Sequence, residues 1–205
     1  MQGKFLYSFV YSISNVRQTT LIVGPVALVR QWEKEIFSKV TGSHRMSVLM
    51  HHGQAKKKYS WDDIRVYDVV LTTYGTLGSE YKRLEKWEHG QKLAGHDRRS
   101  EQYQSDTKKL FPILGEKSVF YRVILDEAQN IKNKNTNASR AAKVIGAKTR
   151  WCLTGTPMMN NIQELYSLIH FLRIRPYNEW TRFQEVSTLF KCSKTNADLA
   201  RLLEN

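Results

Sequence analysis

The chain has 205 residues, and its 32 Lys and Arg residues against 19 Asp and Glu give a net charge of +13. Hydrophobic residues make up 41% of the sequence, a globular composition that excludes collagen-like and fully disordered chains. Two cysteines are too few for a disulfide framework or a zinc ribbon, so a reducing compartment is expected. No apolar run approaches the roughly 18 residues of a membrane-spanning helix, and no membrane partner is expected. The charge favours either a polyanion partner such as nucleic acid or a basic surface without a partner.

Short apolar runs alternate along the chain with segments that have a helical spacing of apolar residues. The runs predict buried strands at residues 19–23, 46–50, 68–71, 120–125 and 149–153. Helices are predicted at residues 26–40, 75–87, 138–145, 162–172, 179–190 and 197–203. This alternation predicts an α/β fold, with a parallel sheet and helices on both of its faces.

The pattern of charges and apolar runs divides the chain into a main domain and two flanking segments. Residues 1–18 are an atypical N-terminal segment, residues 19–192 the main α/β domain, and residues 193–205 a C-terminal helix. Within the main domain, residues 80–118 are rich in charges and poor in aliphatic side chains. We expect a helix end there, followed by a partly mobile surface insertion.

Several predicted strands are followed by residues that could bind a ligand, because parallel sheets bind ligands beyond the carboxyl ends of their strands. The residues are Pro25, Thr72-Thr73, Asp126-Glu127 and Thr154-Gly155-Thr156. Adjacent carboxylates after an apolar strand are typical of a Walker-B site. There the first holds Mg²⁺ through water, and the second orients or deprotonates the attacking water. The same pair could instead cap the next helix or lie in a solvated turn.

Four sequence motifs together resemble the Swi/Snf-type helicase-like ATPases. VILDEAQNIKN (residues 123–133) and CLTGTPMMNNIQEL (residues 152–165) resemble motifs II and III of that family. LIVGPVALVRQWEKEI (residues 21–36) resembles motif Ia, and DVVLTTYGTLGSE (residues 68–80) resembles the Thr-Thr-Tyr motif. PYNEW (residues 176–180) is similar to the branch that carries a RING finger between its two lobes.

The resemblance implies the first RecA-like lobe of a DNA-translocating ATPase. Such an enzyme uses ATP and Mg²⁺, acts on double-stranded DNA with nucleosomes as a further candidate, and has a second RecA-like lobe. It also implies a nuclear protein of chromatin remodelling or DNA repair. By position, Asp126 would organise Mg²⁺ and Glu127 would activate water. Gln129 takes the last position of the DEAH-type motif, where Gln can donate and accept hydrogen bonds but cannot become cationic.

The resemblance also assigns residues to the nucleotide and to DNA. Thr154, Gly155 and Thr156 would bind nucleotide and couple its state to the DNA groove. The residues implied on the DNA-facing side are Gln31, Trp32, Thr72 and Thr73. Two alternatives stay open, since Trp32 could be a core residue and the two threonines could cap a turn.

Basic residues between positions 130 and 150 form a second candidate for DNA contact. They are Lys132, Lys134, Arg140, Lys143, Lys148 and Arg150, and Lys56 to Lys58 add a further cluster. They could track the phosphates of duplex DNA with little sequence preference, or they could be an ordinary solvated face. His51-His52 lacks further ligands at metal-binding spacing.

The 205 residues contain no P-loop of the form G-x-x-x-x-G-K-[ST], which in this family precedes the position of Thr20. No second lobe follows in the sequence, so the isolated chain is expected to be inactive as an ATPase. Two interpretations remain: part of an ATP-dependent translocase, or a non-catalytic DNA- or protein-binding module derived from that family. A different α/β nucleotide-binding protein is disfavoured, because the chain also lacks G-x-G-x-x-G.

Overall fold

The computed structural model describes residues 18–40, 45–53, 59–156 and 162–192. The first strands and helices are β1 (Thr20–Gly24), α1 (Val26–Lys39), β2 (Val48–His51), α2 (Trp61–Ile64), β3 (Val69–Thr73), α3 (Tyr74–Leu93) and α4 (Glu101–Leu110). They are followed by β4 (Val119–Asp126), a 3-10 helix (Ala128–Ile131), α5 (Asn137–Val144), β5 (Gly146–Leu153), α6 (Ile162–Leu172) and α7 (Trp180–Cys192). The atypical N-terminal segment up to residue 17, the lysines at positions 56–58 and the helix predicted at 197–203 lie outside the described residues.

The five strands form one parallel sheet in the order β2-β3-β1-β4-β5. Ile22 in the central strand β1 pairs with Leu71 on one side and with Ile124 on the other. The strands of a parallel sheet need crossover connections, which the helices between them provide. The sequence-based prediction of an α/β fold with a parallel sheet is confirmed. Among the helices of the described ranges, none is long and apolar enough to cross a membrane.

Side chains of β1 alternate between two apolar clusters, one on each face of the sheet. Leu21 and Val23 pack with buried residues of α2, α3, α5 and α6. Ile22 packs on the opposite face with Val29 and Ile36 of α1. Every residue of β1 and β3 is buried, which is why both strands have continuous apolar sequences. The helices therefore cover both faces of the sheet, as predicted.

Residues 80–118 differ from the loose surface segment that the sequence suggested. Helix α3 continues to Leu93, and Trp87 packs against Tyr103 of α4 and against Phe111, with ring centroids 4.7 and 5.6 Å apart. The turn before β4 buries Ile113 and Leu114 completely or nearly so. Only residues 92–99 form a continuous exposed stretch. The apolar contacts come from residues spaced far apart in a charged sequence, so the inner part of this segment belongs to the core.

Candidate functional site

The carboxyl ends of three neighbouring strands bring the central polar residues together. Asp126 is the last residue of β4 and pairs in register with Leu153, so Thr154 follows directly beside it. Gly24 ends β1 on the other side of Asp126, where a Cβ atom would lie 3.5 Å from the Asp126 Cβ. Asp126, Glu127 and Thr154 therefore lie together at the carboxyl ends of neighbouring strands, as predicted. We call this side of the sheet its carboxyl edge.

Three hydrogen bonds hold Asp126. The indole Nε1 of Trp32 donates to Asp126 Oδ2 at 2.8 Å, and the backbone N–H of Glu127 donates to Oδ1 at 3.0 Å. The hydroxyl of Tyr74 donates to the backbone oxygen of Asp126 at 2.8 Å. Burial is the main cause that raises the pKa of Tyr74, and the nearby thiol of Cys152 and both carboxylates raise it further. Tyr74 therefore stays a protonated donor.

The backbone of Glu127 has a left-handed conformation, with φ at 51°. A bulky residue adopts this region at an energetic cost, and such residues are found at functional sites. Glu127 stands at the N-terminal end of the 3-10 helix, yet its side chain makes no capping hydrogen bond there. The helix-capping alternative for Glu127 is thus not observed, and its carboxylate makes its hydrogen bond elsewhere, with Gln129.

Gln129 joins the two predicted motifs through its side-chain amide. The Thr154 hydroxyl donates to Gln129 Oε1 at 2.7 Å, and Gln129 Nε2 donates to Glu127 Oε2. The backbone N–H of Thr156 donates to the Thr154 hydroxyl oxygen at 3.1 Å. Gln129 therefore uses both halves of its amide, as its chemistry predicts. Gly155 and Thr156 are exposed next to this chain of hydrogen bonds.

The donor set at this edge fits Mg²⁺ held together with phosphate oxygens. The described ranges contain no group of three or more His, Cys, Asp or Glu residues that could form a complete metal site. Mg²⁺ is ordinarily bound by one or two carboxylates, substrate phosphates and water, so it does not need such a group. Each Asp126 oxygen accepts one hydrogen bond and has a second acceptor position left for a metal-bound water.

Thr72 and Thr73 have roles inside the fold. Both side chains are almost completely buried, at 0% and 3% exposure. Thr72 donates to the backbone oxygen of His51, and Thr73 caps α3 by accepting from the backbone N–H of Thr76. Thr73 thus caps a helix, and a DNA contact of either threonine stays a prediction.

Gln31 is exposed on α1, whereas Trp32 is half buried against the cluster beneath that helix.

The predicted basic residues differ in their surroundings. Lys132 pairs with Glu164 at 3.7 Å, and Lys134 Nζ lies 4.1 Å from the centroid of the Trp180 ring. Arg150 is half buried and donates to the backbone oxygens of Ile145 and Ala147. Burial lowers the pKa of Arg150 to about 10, with Arg173 adding to the shift. Arg150 is thus a structural residue.

Lys134 also belongs to a group of four cations that act on the same titratable side chains, which we call the α5 cation cluster: Lys134, Arg140, Lys143 and Arg173. Burial lowers the pKa of Lys143, and the charges of Lys134 and Arg140 lower it further. Burial, Lys143 and Arg173 likewise lower the pKa of His170 on α6. Positive charges that disfavour each other in this way gain from a polyanion nearby.

Two buried residues of α3, Tyr74 and Glu80, make hydrogen bonds that no sequence pattern predicts. Tyr74 was noted within a motif but given no role, although its position directly after Thr73 is at a strand end. Glu80 was counted among surface charges, but it is 1% exposed and accepts the backbone N–H groups of Ile113 and Leu114 at 2.8 and 2.9 Å.

A sequence profile described as SNF2-related domain matches residues 5–205. The chain belongs to the SNF2-related family. The match includes most of the N-terminal segment that the sequence pattern set apart. The resemblance stated from the four motifs is therefore confirmed.

Relatives of this SNF2-related chain are much longer than it is. It is 43% identical over 179 residues to an uncharacterized ATP-dependent helicase of Schizosaccharomyces pombe, covering 87% of this chain and 16% of the relative. It is 34% identical over 179 residues to the DNA repair protein RAD5 of Candida albicans, covering 84% of this chain and 15% of the relative. The chain thus spans less than a fifth of each.

A solved structure shares the fold of this SNF2-related chain. It is the Sulfolobus solfataricus SWI2/SNF2 ATPase core in complex with dsDNA, with a TM-score of 0.60 and 25% sequence identity. The similarity covers 91% of this chain and 32% of that one. The five-stranded parallel sheet is accordingly the RecA-like lobe of a SNF2 ATPase core.

Proposed function

We propose that this chain forms the catalytic edge of the first lobe of a DNA-dependent ATP hydrolase. The observation that carries the proposal is the hydrogen-bonded path from Glu127 through Gln129 to Thr154, beside Asp126. The relatives named as ATP-dependent helicases support ATP as the nucleotide. The DNA repair relative supports a nuclear protein of DNA repair. Chromatin remodelling and nucleosome contact remain the wider expectations of the family resemblance.

The two carboxylates have separate roles in this proposal. Mg²⁺, when bound with ATP, would neutralise charge on the phosphates. Asp126 would hold the metal through water, because its oxygens are oriented by Trp32 and by the Glu127 backbone. Glu127 orients the attacking water and accepts its proton. Gln129 donates to the Glu127 carboxylate and accepts from the Thr154 hydroxyl, so it connects the positions of these two side chains.

A phosphate-binding loop has a specific place to join this site. Among the described strands, β5 pairs only with β4, so the outer edge of β5 is open. A P-loop is carried by a strand that enters a helix, and its loop lies at the carboxyl edge of a sheet. The open edge of β5 is one strand away from Asp126, whereas β2 at the other edge is three strands away. We therefore expect a strand that carries a P-loop to pair with the open edge of β5.

Duplex DNA is the partner that the charges favour. In the α5 cation cluster, Lys134 and Arg140 lie close enough to Lys143 to lower its pKa, and Arg140 also lies 3.9 Å from Glu85. The exposed Gln31 can donate and accept at a phosphate or sugar. A solved SNF2 core that matches this chain was determined with dsDNA. Contacts of this kind position a protein on DNA without reading its sequence.

A second candidate function is a non-catalytic DNA-binding module. The α5 cation cluster supports it, because DNA contact through these side chains needs no nucleotide. Both candidate functions predict DNA binding. Only the first predicts that the protein purified from its own cells hydrolyses ATP.

The test is duplex-stimulated ATP turnover by the protein purified from its own cells, beside the 205-residue chain made alone. We expect turnover by the endogenous protein and none by the isolated chain. Asp126→Asn abolishes the turnover, and Glu101→Gln, an exposed acid on α4, is the matched control that keeps it. An endogenous protein that binds duplex DNA without ATP turnover favours the non-catalytic module. Turnover by the isolated chain that disappears in Glu127→Gln contradicts the need for a P-loop.

A further inference from the structure

Trp32 and Asp126 are 94 residues apart in sequence and joined by a direct hydrogen bond at 2.8 Å. Trp32 belongs to α1, on the opposite face of the sheet from the cluster that holds Tyr74 and Ala128. The bond therefore crosses from the sheet-facing side of α1 to the end of β4. Neither the DNA-facing role nor the core role expected for Trp32 accounts for this contact.

The geometry points to Trp32 as a positioning residue for the metal-organising carboxylate of Asp126. This inference rests on the proposed function, since it needs Asp126 to organise Mg²⁺. Trp32 touches Asp126 and acts on the metal through it. Its role is to set the direction of the carboxylate before metal and nucleotide arrive.

The donor is held by rigid structure. Val29, Trp32 and Ile36 lie along the side of α1 that faces the sheet, and Val29 and Ile36 are each 1% exposed. Helix α1 starts two residues after β1 ends, with no loop long enough to let it shift freely. A donor on a packed helix keeps its orientation, and oriented groups around a metal ligand are worth about tenfold or more in metal affinity.

The chemistry of indole suits this task. Its N–H is a donor only, so it cannot bind the metal itself or exchange a proton with the attacking water. Asp126 Oδ2 accepts from Trp32, and Oδ1 accepts from the Glu127 backbone. The two donors fix the plane of the carboxylate from both sides. One acceptor position on each oxygen stays available for metal-bound water.

The end of β1 lies beside the carboxylate of Asp126. A Cβ at Gly24 would lie 3.5 Å from the Asp126 Cβ and 3.9 Å from Oδ2. The end of β1 is therefore close to the same oxygen that receives the indole N–H. The end of β1 thus borders the oxygen that the indole N–H holds, and the hydrogen bond from Trp32 is what orients it.

The test uses Mn²⁺ as the probe and the full 205-residue chain as the protein. Free Mn²⁺ is followed by electron paramagnetic resonance, and the indole N–H signals are followed by ¹H–¹⁵N spectra. Trp32 is assigned through the signal that Trp32→Phe removes. A second variant replaces Trp32 with benzothienylalanine, which keeps the size of the ring system and lacks the N–H. Trp87→Phe, on the other face of the sheet, is the matched control, and circular dichroism checks folding.

We expect Mn²⁺ to broaden the Trp32 signal before the other indole signals, and Asp126→Asn to remove this binding. Trp32→Phe and the benzothienyl variant bind Mn²⁺ about tenfold more weakly, whereas Trp87→Phe binds as the unchanged chain does. Equal affinity in the benzothienyl variant overturns the positioning role and leaves the metal site at Asp126 standing. If Asp126→Asn binds Mn²⁺ with the same affinity as the unchanged chain, both this inference and the proposed function are overturned.

Discussion

Thr154 donates a hydrogen bond to Gln129 across two neighbouring strand ends, over a distance of 2.7 Å. Gln129 in turn donates to Glu127, so a shift of Thr154 moves the amide that donates to this carboxylate. The two motifs are 25 residues apart in sequence and are joined here by one amide. The link gives the site a physical means to connect its two strands.

The Thr154–Gln129 bond predicts an energetic coupling that a double-mutant cycle measures. Thr154→Val and Gln129→Ala each lower the free energy of unfolding, and the double variant loses less than their sum by about 1 kcal/mol. Denaturant unfolding of the four proteins gives the coupling. Thr149→Val is the control, because its hydroxyl donates to the backbone oxygen of Tyr121 and not to Gln129. Additive effects of Thr154→Val and Gln129→Ala contradict the link.

Glu80 predicts a pH dependence of stability. Burial raises the pKa of Glu80 to about 7, although the backbone N–H groups of Leu114 and Ile113 and the charge of Arg83 act in the opposite direction. The ordinary pKa of 4.5 applies in the unfolded chain. Between these values the folded state holds a proton that the unfolded state releases. The free energy of unfolding therefore falls as the pH rises from about 4.5 to 7, by at most about 3 kcal/mol.

Glu80→Gln tests this dependence, since Gln keeps the shape and the oxygen that accepts from Ile113 and Leu114. Its amide nitrogen replaces Glu80 Oε2, which has no hydrogen-bond partner. We expect the variant to gain stability relative to the unchanged chain as the pH rises from 5 to 8. His51 and His170 titrate in both proteins and cancel in the difference. Parallel stability curves contradict the prediction.

Gly115 lies where the surrounding backbone leaves no room for a side chain. A Cβ there would lie 2.7 Å from the backbone oxygen of Phe111 and 2.8 Å from that of Thr107. Gly115→Ala must therefore shift the turn between α4 and β4 and destabilise the fold by about 1–3 kcal/mol. Gly90→Ala is the matched control in α3, where no atom lies within 4 Å, and it is expected to stabilise by about 0.5–1 kcal/mol. Thermal unfolding compares them; similar melting temperatures for both variants would be inconsistent with the crowding.

The α5 cation cluster predicts a salt-dependent contact with duplex DNA. We expect Lys134→Ala combined with Lys143→Ala to weaken binding and to reduce the slope of log affinity against log salt by about 1–2. Fluorescence anisotropy with two unrelated duplexes measures both quantities, and the loss is the same for each duplex. Lys92→Ala, in the last turn of α3, is the matched control. An unchanged slope in the double variant would place the DNA elsewhere.

The sequence predicts much of this fold because its central strands are buried on both faces. β1 and β3 are buried throughout, and such strands appear as continuous apolar runs. β5 starts at Gly146, three residues before its predicted start, because the exposed Lys148 interrupts the apolar run there. Helix α3 likewise runs past its predicted end to Leu93 through polar and charged residues.

The candidate site could be predicted only in part. Asp126, Glu127 and Thr154 follow strands, and parallel strands bring their carboxyl ends to one edge, so their meeting follows from topology. The bonds from Trp32 and Tyr74 to Asp126 span 94 and 52 residues and depend on how the helices pack. No local pattern carries that information. A buried carboxylate such as Glu80 has the same sequence signal as a surface one.

The most direct test of the account is single-turnover hydrolysis of ATP already bound to the protein purified from its own cells. The unchanged protein is compared with Glu127→Gln in the presence of duplex DNA. We expect the variant to bind ATP with similar affinity and to hydrolyse it at least about 100-fold more slowly, because it cannot accept a proton from water. Hydrolysis of bound ATP at the unchanged rate would contradict the role of Glu127 and with it the proposed function of this edge.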